Sequence, residues 1–139
     1  FPKFSPDGKK IAFVRDNNLW IIDAENGQEV AVTKDGLQNQ VKNGWADWVY
    51  EEEFSKPDYF EWSPDGKFLA YVRFDESRVK EYSMDLYKGE LYPVKTTFKY
   101  PKAGEENSVV SVHIYDLAKT TAVTAEIGTE TDIYIPRIQ

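Results

Sequence analysis

A chain of 139 residues that is 41% hydrophobic and 15% aromatic has enough apolar material for one core and too little length for two. Its net charge of -7 excludes nucleic acid as the natural partner, because phosphate binding calls for clustered Lys and Arg, and it favours small cationic ligands. With no cysteine, disulfides and thiolate metal sites are excluded, and that residue gives no information on the redox compartment.

No apolar run approaches the roughly 18 residues of a membrane span, and no signal peptide opens the chain. The opening, Phe1-Pro2-Lys3-Phe4-Ser5-Pro6-Asp7-Gly8, starts in the middle of a pattern. The sequence is therefore expected to be cut from a longer protein, and the missing signal says nothing about export.

That pattern is a repeat. Phe4-Ser5-Pro6-Asp7-Gly8-Lys9 recurs as Trp62-Ser63-Pro64-Asp65-Gly66-Lys67, 58 positions on. Ser-Pro-Asp-Gly makes a turn, in which Pro fixes φ at the first central position and Asp-Gly takes the bend. Each copy runs into an alternating strand, Lys10 to Arg15 and Phe68 to Arg73. A second β unit follows each, Leu19 to Asp23 in the first repeat and Val112 to Asp116 in the second. The first pair is offset by 58 positions and the second by 93, which puts about 35 extra residues inside the second repeat. With Gly27 and a further strand at Glu29 to Thr33, this is the rhythm of a propeller blade. The expected fold is all-β, a partial β-propeller with an inserted β-hairpin arm and one short helical turn.

Between the repeats, Lys34 to Lys42 is polar and loop-like, and Trp45 to Phe54 is the one good candidate for a helical turn. Asn43-Gly44 offers a turn before it, Asp47 an N-cap, and Val49 and Tyr50 fall in its first turn. The insertion, Asp75 to Asn107, holds two β-prone runs, Glu81 to Tyr87 and Leu91 to Tyr100, joined at Lys88-Gly89-Glu90. It reads as a hairpin arm, and a two-stranded arm needs something to pack on. The tail offers two short strands, Ala122 to Ile127 and Asp132 to Ile135, and no closing element, so the outer edges are expected to recruit other strands.

The candidate site is Glu51-Glu52-Glu53, which follows Trp48-Val49-Tyr50. In a strand, neighbouring side chains point to opposite faces, so Glu52 and Glu53 would not address one ligand. In a helical turn they stand about 100° apart, close enough for two long side chains to converge on a small cation. Converging carboxylates raise one another's pKa, and a bound ammonium removes that cost. Two other readings stay open on the residues alone: a solvated acidic patch, and a hard metal ion held by carboxylate oxygens. Trp45, Trp48, Trp20 and Trp62 read as packing residues, and His113 as an ordinary strand residue. Asp7, Asp65, Asp23 and Asp116 recur where turns need them. There is no Gly-x-Ser-x-Gly elbow.

Taken together, the Ser-Pro-Asp-Gly entries, Asp47-Trp48-Val49-Tyr50-Glu51-Glu52-Glu53, Glu81-Tyr82-Ser83 and Tyr100-Pro101-Lys102-Ala103-Gly104, in this order, closely resemble the N-terminal propeller domain of dipeptidyl peptidase IV. The Trp-Val-Tyr-Glu-Glu-Glu motif is highly specific, whereas Ser-Pro-Asp-Gly occurs in many propellers. The resemblance covers essentially residues 1–139 and implies part of an eight-bladed propeller, with repeats starting near 4 and 62. The propeller would cap an α/β-hydrolase domain that carries the Ser, Asp and His triad and lies outside this sequence. It implies a serine exopeptidase that releases N-terminal dipeptides, Xaa-Pro or Xaa-Ala, without cofactor or metal. Glu52 and Glu53 would hold the substrate's free ammonium, with Glu51, Trp48 and Tyr50 in support. No catalytic residue falls in this chain, which alone is expected to be inactive. The arm from Val79 to Asn107 would contribute to a homodimer. By the same resemblance the parent is periplasmic, secreted or on the cell surface. The absence of cysteines and of Asn-x-Ser/Thr acceptors suits a bacterial member. Close alternatives are a prolyl tripeptidyl peptidase and a non-catalytic propeller that only binds protein partners. By the same resemblance, the family's arginine against the substrate carbonyl would fall before Phe1. The run after the glutamates is one residue shorter than the mammalian pattern, which leaves the role of Phe54 open.

Overall fold

The computed structural model describes all 139 residues. Strands β1 (Lys3–Phe4), β2 (Lys10–Arg15), β3 (Asn18–Asp23) and β4 (Glu29–Ala31) form one antiparallel sheet in that order. A second sheet is built on β7 (Phe68–Asp75), with β10 (Val109–Asp116) and then β11 (Thr121–Thr124) on one side. Two short strands, β5 (Val41–Asn43) and β6 (Phe60–Trp62), lie end to end along its other side. The helix α1 (Trp48–Glu52) sits between them in sequence, and β8 (Glu81–Leu86) pairs only with β9 (Val94–Lys99). This is an all-β propeller segment of two blades with a hairpin arm and one helical turn.

The repeated turn folds the same way twice. Ser5 Oγ donates to Asp7 Oδ1 at 2.7 Å and accepts from Lys10 N at 2.9 Å, while Lys9 N donates to the same Asp7 oxygen at 3.1 Å. Ser63, Asp65, Lys67 and Phe68 repeat the three bonds at 2.7, 2.9 and 3.1 Å. The serine satisfies the first strand amide, and the aspartate the turn amide, so no backbone donor is lost where the chain enters a blade.

The blades pack through Ala12, Leu19 and Ile21 of the first against Phe60, Leu69, Tyr71 and Tyr115 of the second, all buried. These are inward positions of alternating strands, as the pleat dictates. The opposite face of the second blade carries Val72, Phe74 and Val110, covered by Ala46 and Tyr50 and by Ile133, Ile135 and Ile138 of the tail. The second blade is thus a layer between the first blade and the helical turn.

The alternating runs behave as the sequence indicates, and β2 matches its expected bounds. Asp132 to Ile135 does not form a strand. Its alternate isoleucines face the core, but its backbone meets side chains instead of a sheet edge: Ile135 N donates to Tyr50 Oη at 2.8 Å, and Pro136 O accepts from Tyr59 Oη at 3.1 Å. The run from Ala122 ends as a strand at Thr124, with a last bond from Ala125 N to Val112 O at 2.8 Å. The polar stretch ending at Lys42 was expected as loop, yet Val41 and Lys42 belong to β5. The second strand of the arm begins at Val94, after Pro93, so the joining loop is wider than Lys88-Gly89-Glu90.

Candidate functional site

The helical turn is an interruption of a strand. Asn43 pairs with Arg73, and Phe60 pairs with Tyr71. The edge strand therefore advances 17 positions while β7 moves 2, and the surplus is looped out as the turn. The loop is pinched at its base. Gly44 N donates to Val72 O, Val72 N to Tyr59 O, and Tyr59 N to Gly44 O, each at 2.9 Å, and Ala46 N reaches Pro57 O at 2.9 Å. Gly44 sits at φ +76° with Leu19 and Phe60 against it, a place that favours a residue without Cβ. The incoming strand is tied to the first blade by Asn43 N, which donates to Asn17 O at 3.0 Å. It is also tied sideways by Asp35, which accepts from Asn43 Nδ2 at 2.9 Å and Arg73 Nε at 2.8 Å. Burial acts to raise the Asp35 pKa, but these two bonds outweigh it and hold the carboxyl below its ordinary value.

Above this neck, Asp47 is the N-cap of α1, its Oδ1 accepting from Tyr50 N at 2.9 Å. Its other oxygen, Oδ2, accepts from Ser108 Oγ at 2.6 Å. Tyr50 is buried, edge-on to Phe54, Tyr59 and Phe74 with centroids 5.1, 5.3 and 4.9 Å away. Burial keeps its phenol neutral, with its pKa pushed well above the ordinary value. Phe54 also meets Tyr134 at 5.5 Å, so it packs against the turn and the tail. Trp48 stands edge-on to Tyr100 of the arm at 4.2 Å. Lys42 supports the turn from below: its Nζ reaches Ala46 O at 3.1 Å and Glu76 Oε1 at 3.4 Å, and lies 4.1 Å from the Trp45 ring centre. Glu76 is almost fully buried, and desolvation, opposed by Lys42, keeps its pKa above the ordinary value.

The result is a turn held rigidly from beneath whose far side is acidic. Glu51, Glu52 and Glu53 are all exposed; the amides of Glu51 and Glu53 donate to Asp47 O and Val49 O in the helical turn, but none of the three carboxylates makes a hydrogen bond or ion pair within the chain. Glu52 closes α1 and Glu53 is the C-cap, still in the right-handed helical region at φ -86°, ψ -37°, so the two follow each other on one helical turn. Glu53 also faces a cleft of about 480 Å³ between the turn and the arm, together with Trp48, Tyr100, Lys102 and Tyr134. Glu51 and Glu52 lie outside that cleft. Trp48 and Tyr50 are therefore packing residues, and the glutamates are the free groups.

The profile of the dipeptidyl peptidase IV N-terminal region matches residues 1–139. The chain belongs to this family. It is similar to the crystal structure of Porphyromonas gingivalis dipeptidyl peptidase 4, with 52% identity and a TM-score of 0.93 over 99% of this chain and 20% of that one. It is 41% identical to the probable dipeptidyl-aminopeptidase B of Podospora anserina over 138 residues, 91% of this chain and 15% of the relative. It is 42% identical to mouse prolyl endopeptidase FAP over 114 residues, 81% of this chain and 15% of the relative. The chain thus spans about a seventh of the curated relatives it matches, at 15% of each.

Within this dipeptidyl peptidase IV N-terminal region, sequence reasoning finds the glutamate turn and its cap. It misses Ser108 and Tyr134, which lie far along the chain from the residues they touch; no local signal marks either of them. Tyr100 and Lys102 were legible as part of the Tyr100 to Gly104 motif, but their place beside Glu53 was not.

Proposed function

We propose that this chain is the substrate-anchoring part of the propeller of a serine exopeptidase, and that Glu52 and Glu53 hold the N-terminal ammonium of a peptide from which a dipeptide is released. The observation that carries this is the contrast within one turn: every residue under it is fixed by hydrogen bonds or buried rings, while the carboxylates have no cation of their own. A peptide α-amine, with a pKa near 8, is largely protonated at neutral pH and makes charge-assisted hydrogen bonds to two carboxylates at once. Fixing the amine measures off two residues and sets the second peptide bond before a nucleophile supplied by a hydrolase domain elsewhere in the parent. Glu51 supports the pair without touching the ligand. The chain itself contributes no catalytic residue. The arm is a dimer contact, which agrees with its exposed Tyr87, Leu91 and Tyr92. Such an enzyme acts on peptides outside the cytoplasm, in the periplasm, at the cell surface or after secretion.

A second reading rests on the mouse relative, whose name is that of an endopeptidase. The test is a substrate panel on the full-length parent: chromogenic Gly-Pro, Ala-Ala-Pro and an N-blocked Gly-Pro. Turnover of free Gly-Pro alone is the expected result. Preference for Ala-Ala-Pro indicates a tripeptidyl enzyme, strong turnover of the blocked substrate an endopeptidase, and no turnover of any a binding module.

A further inference from the structure

Glu76 and Ser108 are the first and last residues of the arm, because Asp75 pairs with Val109 in the blade and all between them stands out from it. Both are buried, at 2% and 4% exposure, and both meet the base of the helical turn. Ser108 Oγ donates to Asp47 Oδ2 at 2.6 Å while Asp47 Oδ1 caps α1, so one buried carboxylate joins the arm root to the helix N-terminus. Glu76 pairs with Lys42, which reaches the carbonyl of Ala46, the residue before the cap. Trp48 against Tyr100 adds a third contact between the same two elements. Three contacts of different chemistry thus fix the turn to the arm.

We propose that Ser108, acting through Asp47, is a positioning residue that holds the glutamate turn in register with the arm, so that the arm root sets where Glu52 and Glu53 stand. This rests on the reading of Glu52 and Glu53 as the amine anchor. The bond from Ser108 is charge-assisted and shielded from water, the conditions under which a hydroxyl donor has most influence on a carboxylate. Its loss leaves the cap and the other two contacts intact but loosens the turn on the side of the arm root, and a misplacement of the anchor by about 1 Å is enough to weaken a two-point contact.

The test uses the full-length parent with Ser108→Ala, Ser108→Thr, Glu52→Gln and Glu53→Gln. KM and kcat are measured on chromogenic Gly-Pro, alongside the rate of active-site labelling by a serine-directed fluorophosphonate that carries no amine. Ser108→Ala is expected to raise KM about tenfold with kcat within about threefold, while the labelling rate stays at the wild-type value. Ser108→Thr, which keeps the hydroxyl, is expected to restore KM to within about twofold of wild type. A purely structural role lowers the number of labelled sites and leaves the KM of the remainder unchanged, which overturns the proposal. Should Ser108→Ala yield no labelled sites, Asp47→Asn takes its place, since the amide oxygen keeps the cap while an amide nitrogen replaces the oxygen that accepted from Ser108, so the charge is lost and the link reverses direction. A KM about threefold higher then supports the proposal and a wild-type KM overturns it. If the glutamine variants raise KM and Ser108→Ala does not, positioning alone is wrong; if none of them moves KM, the anchor reading falls and the proposal with it.

Discussion

At the residue scale, the carboxylates divide by environment, and the division sets how stability varies with pH. Asp7 and Asp65 each accept a serine hydroxyl and a backbone amide, which hold their pKa values below the ordinary one. A depressed folded-state pKa contributes stability that is present above the unfolded value, near 3.9, and is lost as pH falls through the folded value. Glu76 has the opposite sign: burial raises its pKa, so protonation favours the fold and ionisation costs stability as pH rises past the unfolded value. Asp7→Asn and Asp65→Asn are therefore expected to flatten the acid limb of a stability-pH curve below about pH 4, read by chemical denaturation at each pH. An unchanged acid limb in both would contradict the turn chemistry. Tyr50 makes a sharper case. Tyr50→Phe keeps the ring cluster and strands the half-buried Ile135 amide, for an expected loss of about 1 kcal/mol, whereas Tyr50→Ala is expected to cost about 3–5 kcal/mol by opening a cavity.

At the scale of elements, the helical turn shows how a short piece of chain becomes rigid. Five helical residues have no stability of their own. Their order comes from the neck below, the arm root beside and the tail on top. Gly44→Ala tests the neck, because a Cβ there meets Leu19 and Phe60 at 3.3 Å on a backbone at φ +76°. It is expected to destabilise the protein by about 1–3 kcal/mol and to weaken substrate binding, measured by thermal unfolding and KM together. The turn was legible in the sequence because Asp47 three residues before Tyr50 is a cap with a mechanism. β5 was not, because Val41-Lys42-Asn43 is too short and too polar to show alternation and is a strand only through its pairing with Arg73 to Asp75. Asp132 to Ile135 failed in the other direction: its alternate isoleucines are the pattern of a strand, but they pack on the cluster of Val72 and Phe74 and the segment pairs with no strand. The Ser108 link to Asp47 spans 61 positions, and no local pattern encodes a contact of that separation.

At the scale of the whole molecule, two blades leave outer strands β4 and β11 without neighbours, and β11 is exposed along its length. Residues 1–139 expressed alone are expected to self-associate through these edges, so sedimentation should show species heavier than 16.1 kDa that depend on concentration. A stable monomer at all concentrations would contradict this. In the full-length parent the proposed dimer contact is the arm. Leu91 and Tyr92 are 84% and 78% exposed, and replacing both by Glu is expected to convert the dimer to monomers without loss of folding.

The repeat made the blades plain from the sequence, since each Ser-Pro-Asp-Gly marks an entry. The position of the site was less plain, because it depends on a strand being opened between Asn43 and Phe60. The central claim is that the opening serves to present two carboxylates to a peptide's ammonium. The most direct measurement is a thermodynamic cycle on the full-length parent: kcat/KM for a free-amine dipeptide substrate and its desamino analogue, with wild type and with Glu52→Gln/Glu53→Gln. The account predicts that wild type prefers the free amine by about 10- to 100-fold per hydrogen-bonded charge removed, and that the double variant loses this preference while treating the desamino analogue as wild type does. If the variant loses the same factor on both substrates, or on neither, the glutamates do not hold the amine.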